Sequence, residues 1–152
     1  MTQDPDIREL DAQTAAVRRT VTDPAGIAAA VDENFPALFG QLAERGVRPA
    51  GPPFIRYLET GERMELEFGV PVPPGLQGVE TVTLPAGRAA VLEYSGPYDG
   101  LRAACEGLFR WLEERGEQVG GPFWEVYLTD PRAEPDSAKW RTDVCVPLAS
   151  GS

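Results

Sequence analysis

One pattern of residues occurs twice in this chain, and that repetition limits the fold more than any other feature. Ala15-Ala-Val17 returns as Ala89-Ala-Val91, and Asp23-Pro-Ala-Gly-Ile-Ala-Ala-Ala30 has its counterpart in Gly96-Pro-Tyr-Asp-Gly-Leu-Arg-Ala-Ala104, at an offset of 74 taken from Gly26 to Gly100. Glu44-Arg-Gly46 matches Glu114-Arg-Gly116, and Gly51-Pro52 matches Gly121-Pro122, at an offset of 70, so the first copy carries four extra residues. Val70-Pro-Val72 and Val146-Pro-Leu148 close the copies at an offset of 76. Two copies joined by a short linker predict a pseudo-twofold domain in place of an open-ended solenoid. At 152 residues the expectation is one domain, with the first copy over roughly 5–72, a linker at 73–78 and the second copy over roughly 79–148.

Each copy reads as ββαββ. Asp6 to Leu10 with Ala15 to Val21, and Val79 to Leu84 with Arg88 to Ser95 across Pro85-Ala-Gly87, have the spacing of hairpins. A helix follows in each. In the second copy Leu101, Ala104, Cys105, Leu108, Phe109 and Leu112 recur at steps of three and four, charged residues fill the other side, and Gly116 stands as the stop. The first-copy helix, roughly Gly26 to Arg45, has the same stripe, with Pro36 inside it predicting a break or kink that absorbs the extra residues. Phe54 to Glu59 with Met64 to Val70, then Phe123 to Leu128 with Trp140 to Val146, complete the units. The expected class is α+β: eight mostly antiparallel strands, two main helices and a cleft between the halves. The loop Thr129 to Lys139, rich in Asp, Pro, Glu and Ser, reads as mobile and solvated.

The segment Phe123 to Leu128 lies between a Gly-Pro turn and an Asp-Pro turn, dense in aromatic and β-branched residues, and reads as a strand buried on both faces. Alternation places Phe123, Glu125 and Tyr127 on one of its faces. Burying an unpaired carboxylate there would cost several kcal/mol, so a cation, a hydrogen-bonding network or an open pocket must offset it. At the offset of 70, Glu125 corresponds to Ile55 while Tyr127 corresponds to Tyr57. The scaffold thus accepts an apolar residue at that place, and the carboxylate is an addition to one copy. Two readings stand: Glu125 pairs with Arg56, Arg141 or another basic group in a structural network, or it belongs to a site. Glu65 and Glu67 on a neighbouring strand read as solvent-facing. Tyr57, Tyr94, Tyr127 and Trp140 are individually core or rim residues, and together with Glu125 they resemble an aromatic cage around an acid.

Composition closes several routes. There is no histidine, which removes Ser-His-Asp and Cys-His catalysis and the usual His-bearing metal sites. Cys105 and Cys145 have no CxxC spacing and read as reduced core residues, so neither a metal nor a cofactor is expected. A net charge of −10 repels phosphate backbones and disfavours direct nucleic-acid binding. The polar, acidic N-terminus and the lack of a membrane-length apolar run lead to the expectation of a cytoplasmic protein.

Leu84-Pro-Ala-Gly87, Gly96-Pro-Tyr98, the apolar helix, Glu125-Val-Tyr127, Asp130-Pro131, Arg141-Thr-Asp143 and Val146-Pro-Leu148, in that order, resemble the GyrI-like small-molecule-binding domain over nearly the entire chain. The resemblance implies a duplicated core with an aromatic cleft holding one glutamate that faces lipophilic, often cationic ligands. It places that glutamate at Glu125 and its tyrosine at Tyr127, with Tyr57, Tyr94, Trp140 and Phe123 as further ligand-binding candidates. Regulators of this kind carry a separate helix-turn-helix domain, for which these residues leave no room. The resemblance implies a binder that sequesters or senses drugs. The alternatives are a hydrolase that opens cyclopropane rings of alkylating natural products through Glu125 and Tyr127, and a modulator of DNA gyrase. A protein partner such as a topoisomerase or a separate regulator goes with the last.

Overall fold

The computed structural model describes residues 4–149. Its strands are β1 (Asp6–Leu10), β2 (Gln13–Thr22), β3 (Phe54–Glu59), β4 (Met64–Pro71), β5 (Thr81–Leu84), β6 (Gly87–Ser95), β7 (Trp124–Tyr127) and β8 (Arg141–Pro147). Two main helices, α1 (Ile27–Glu44) and α2 (Leu101–Glu114), complete an α+β fold in which the strand pairings are antiparallel. The strand at Phe123 to Leu128 is shorter than expected and buried only at its start: Trp124 and Glu125 are buried, Val126 and Tyr127 half-buried, and Leu128 exposed.

The expected hairpins do not form. β1 pairs with β6, from Asp6 opposite Val91 to Leu10 opposite Gly87, and β2 pairs with β5, from Gln13 opposite Leu84 to Ala16 opposite Thr81. The reason lies in the connectors. A two-residue hairpin loop needs positive φ at one or both of its residues, yet the links are Asp11-Ala12 and Pro85-Ala86, and no described non-glycine residue has positive φ. Proline is fixed at negative φ and alanine disfavours the left-handed region, so the chain runs onward instead of folding back. Two compact units result among the described residues, one continuous over 12–85, the other made of 4–11 and 86–149.

In the continuous unit the strand order is β3-β4-β2-β5, with α1 packed through Leu38 and Leu42 on Ala16, Val70 and Val72. α1 runs through Pro36 as one helix, so of the expected break or kink the break does not occur. Proline there removes the hydrogen bond to the carbonyl of Asp32, an exposed residue whose oxygen water can serve. The extra residues of the first copy are accounted for by helix length, since α1 has 18 residues and α2 has 14. Both helices end on a left-handed glycine, Gly46 at φ 67° and Gly116 at φ 71°. The next amide in each closes back on the helix, Val47 N on Leu42 O at 2.9 Å and Glu117 N on Leu112 O at 3.0 Å.

Glu67 is not solvent-facing. It is 0% exposed, and Arg56 Nε donates to its Oε1 at 2.8 Å while Arg19 Nε donates to its Oε2 at 3.1 Å. Arg19 also pairs with Glu80. A strand reading Glu-Leu-Glu looks amphipathic, but both its neighbours bring arginines to the polar face, which neutralise the charge and permit its burial.

In the discontinuous unit the order is β1-β6-β8-β7, and α2 packs Leu101, Cys105, Leu108 and Leu112 on Ala90, Leu92, Tyr94, Val144 and Val146. The face of β6 and β8 that meets α2 is thereby fixed, and with it the face to which β7 must turn alternate side chains.

Candidate functional site

The register of β7 on β8 sets Glu125 opposite Val144 and Tyr127 opposite Thr142, so both side chains lie on the α2 side of the sheet. Glu125 is buried, at 6% exposure. Tyr127 donates its hydroxyl to Glu125 Oε1 at 2.7 Å, and from α2 the thiol of Cys105 donates to Oε2 at 3.7 Å. Burial, and next the neighbouring Glu125, push the Cys105 thiol up to about 12, so at neutral pH it is a neutral donor under the carboxylate and not a thiolate. Of the cations suggested by sequence, Arg56 donates to Glu67 and Arg141 donates to Glu93 at 3.3 Å.

Above this pair stands a residue that sequence reasoning left out of the site. Tyr98 opens the short 3₁₀ turn Tyr98–Gly100 that leads into α2. Its ring meets Tyr127 edge-on at 5.8 Å between centroids and lies against Trp140 at 5.0 Å, tilted by 36°. It is 37% exposed, so an aromatic face stands at the surface beside a buried acid. Desolvation first, then Asp130 and Glu125, raise the Tyr98 phenol above its ordinary value and keep it protonated as a donor. Its signal in the sequence was the divergence already used for Glu125: at the offset of 74, Tyr98 stands where the first copy has Pro24.

Trp140 is held in place by the loop before it. Its indole Nε1 donates to the carbonyl of Glu134 at 2.8 Å. The loop itself is largely exposed, as expected, but it is built from linked turns: Asp130 accepts from the amides of Arg132, Ala133 and Glu134, and Asp136 from that of Ala138. Tyr94 is buried beneath the 3₁₀ turn, with its hydroxyl donating to Pro97 O at 2.7 Å. Phe123 packs edge-on against Phe109 of α2 at 5.5 Å. Tyr57 lies in the continuous unit, half-buried on β3 opposite Leu66. Among the candidates, then, Glu125, Tyr127 and Trp140 gather with Tyr98, whereas Tyr94 and Phe123 serve the turn and the helix. Thr142, flanked in register by Tyr94 and Tyr127, is fully buried, and its Oγ1 has no hydrogen-bond partner among the described residues.

The family model for the GyrI-like small molecule binding domain matches residues 3–149. The chain belongs to that family. Among solved structures it is similar to EcmrR in its complex with DNA, with 22% identity, a TM-score of 0.84 and coverage of 99% of this chain and 58% of that one. The GyrI-like chain therefore spans under two thirds of EcmrR. It is also similar to SAV2435 bound to tetraphenylphosphonium, at 15% identity, TM-score 0.73, and coverage of 97% and 95%. A hydrolase from Listeria innocua is a third, at 16% identity, TM-score 0.64, and coverage of 95% and 91%. At these identities the likeness shows the shared fold. No curated protein matches the chain.

Proposed function

We propose that this GyrI-like chain binds lipophilic, positively charged aromatic molecules, with Glu125 selecting the charge, and that it acts by sequestering or sensing them. The observation that carries this reading is a buried carboxylate, hydrogen-bonded by the Tyr127 phenol and the Cys105 thiol, set beside the partly exposed Tyr98 and Trp140 rings. Aromatic faces attract a desolvated cation by about 2 kcal/mol or more, and a low-dielectric carboxylate adds charge discrimination that a neutral ligand cannot use. SAV2435, of the same fold, is bound to tetraphenylphosphonium, a cation of this class. Calorimetric titration with tetraphenylphosphonium and with neutral triphenylphosphine oxide tests the reading. Glu125→Gln should weaken the cation by about tenfold or more and leave the neutral compound nearly unchanged; equal losses for both would overturn charge selection.

The 2.7 Å contact of Tyr127 with Glu125 favours a second reading, in which the same site hydrolyses strained rings. Glu125 would take a proton from water as the water oxygen bonds to a ring carbon of a cyclopropane. The strained carbon–carbon bond breaks, and its electron pair is received by a conjugated carbonyl whose oxygen the Tyr127 phenol steadies and protonates, after which the proton taken up by Glu125 passes to the phenolate and restores both groups. General acid–base help of about 10² to 10⁴ suffices for so reactive a substrate. With a cyclopropane-bearing alkylator in excess, mass spectrometry should show more than one equivalent of water-added product, lost in Glu125→Gln. A stoichiometric, unchanged complex would exclude turnover.

A further inference from the structure

Comparing the two copies exposes a second addition, in the continuous unit and with the opposite charge. Asn34 of α1 is 2% exposed, in the middle of a helix where an amide must find partners. Its Nδ2 donates to the carbonyl of Ala30 at 2.8 Å, and its Oδ1 accepts from Arg18 Nε at 3.1 Å. Arg18 lies on β2 opposite Phe68, on the face that carries Ala16 into the α1 core. At the offset of 74 the other copy has Leu92, buried in its core, for Arg18, and at the offset of 70 that aligns the helix ends it has Ala104, packed against the same core, for Asn34. The scaffold therefore holds an apolar pair here without difficulty, and the continuous unit has replaced it by a guanidinium and an amide that fixes the guanidinium's direction.

Asn34 occupies Nε, and among the described residues it is the hydrogen-bond partner Arg18 has; no carboxylate is set against Arg18 there. The terminal nitrogens Nη1 and Nη2 form a flat fork of donors suited to a planar oxyanion. Next to Phe68 stands Phe35, edge-on at 5.2 Å, and beyond it Phe39, at 6.4 Å and 38% exposed. A preset fork on the sheet face where Phe68 meets the half-buried Phe35, with the exposed Phe39 beyond, is a recognition set for an aryl ring bearing a carboxylate. A residue serving only to fill the core would be leucine, as in the other copy. We propose that Arg18, oriented by Asn34 and flanked by Phe35 and Phe39, is a binding site for arylcarboxylates. It uses no residue of the Glu125 site and stands or falls separately from that reading.

The probe is 2-naphthoate, with 2-naphthamide as its uncharged isostere, titrated calorimetrically at physiological salt, where the field of the net charge of −10 is screened beyond about 8 Å. Naphthoate should bind at least about tenfold more tightly than the amide, and Arg18→Leu should abolish that difference. Asn34→Leu, which keeps the charge but frees the guanidinium, should recover only part of the preference. Should Arg18→Leu fail to fold, Arg18→Lys decides, since it retains the charge and loses the fork. In ¹⁵N spectra the Arg18 Nε–Hε signal should shift with naphthoate. No saturation in the millimolar range, equal affinity for acid and amide, or an unchanged preference in the Arg18 variant would overturn the proposal.

Discussion

The hydroxyl of Tyr94 donates to the carbonyl of Pro97 and fills the space that a side chain at Gly100 would need, 2.2 Å from where a Cβ would stand. The turn that carries Tyr98 is thus braced from below, and Gly96, at φ 141°, gives the chain the bend that lets it pass over the ring. Gly100→Ala should destabilise the protein by about 1 to 3 kcal/mol in urea unfolding, through overpacking against Tyr94. Tyr94→Phe should cost about 1 kcal/mol. A Gly100→Ala protein as stable as the parent would show that the phenol does not occupy that space.

Tyr98→Ala should weaken tetraphenylphosphonium by about 1 to 2 kcal/mol with little change in unfolding midpoint, because the ring is partly exposed and its contacts are with other site aromatics. Tyr98→Phe should keep most of the affinity. Affinities of parent and Tyr98→Ala that coincide would remove Tyr98 from the site.

Glu67 and its two arginines make a different forecast. Glu67→Ala leaves Arg56, which is mostly buried, without its carboxylate, and should cost about 3 kcal/mol or more. Arg19, more exposed and still paired with Glu80, contributes little to that loss. Glu67→Leu combined with Arg56→Leu should recover most of the stability. A double variant no better than the single one would mean that the pair is net stabilising.

Burial raises both thiols from 9.0 to about 12, Cys105 next through Glu125 and Cys145 next through Asp143. A folded-state value above the unfolded one gives stability that is complete below about pH 9 and is lost as pH rises towards about 12. Urea midpoints should therefore fall over that window, and a Cys105→Ala, Cys145→Ala protein should show a smaller fall. At pH 8 a thiol reagent should leave the folded protein unmodified and label both cysteines in denaturant. Rapid labelling of the native state would contradict the burial.

What the sequence revealed, and what it hid, follows from the range of each signal. Helix stripes, the glycine stop and the duplication are local or repetitive, and Gly116 ends α2 where the spacing put it. Strand partnership is not local: Leu10 and Gln13 are three residues apart and still join different units, a choice made by the φ preferences of Asp11-Ala12. The burial of Glu67 depended on Arg19 and Arg56, which lie 48 and 11 residues away. Glu125 and Tyr127 were legible as a pair on one strand face, but Gly-Pro-Tyr-Asp-Gly reads as a turn, which concealed Tyr98. Arg18 and Asn34 were hidden for the same reason as Glu67, since each looks ordinary until the partner 16 residues away is known.

The run-on at Asp11-Ala12 also sets an order of events during synthesis. The strands and helix of the continuous unit all lie between Ala12 and Pro85 and emerge one after another. β1 leaves the ribosome first yet must wait for β6, because Leu10 faces Gly87. At roughly 5–20 residues per second that delay is about 4 to 15 s, and the long loop adds its closure entropy to the wait. Until β6 follows, the nascent chain carries β1 unpartnered ahead of the continuous unit, and the carboxylate on β7 can join Tyr98 and Trp140 only once the chain has been made through residue 140.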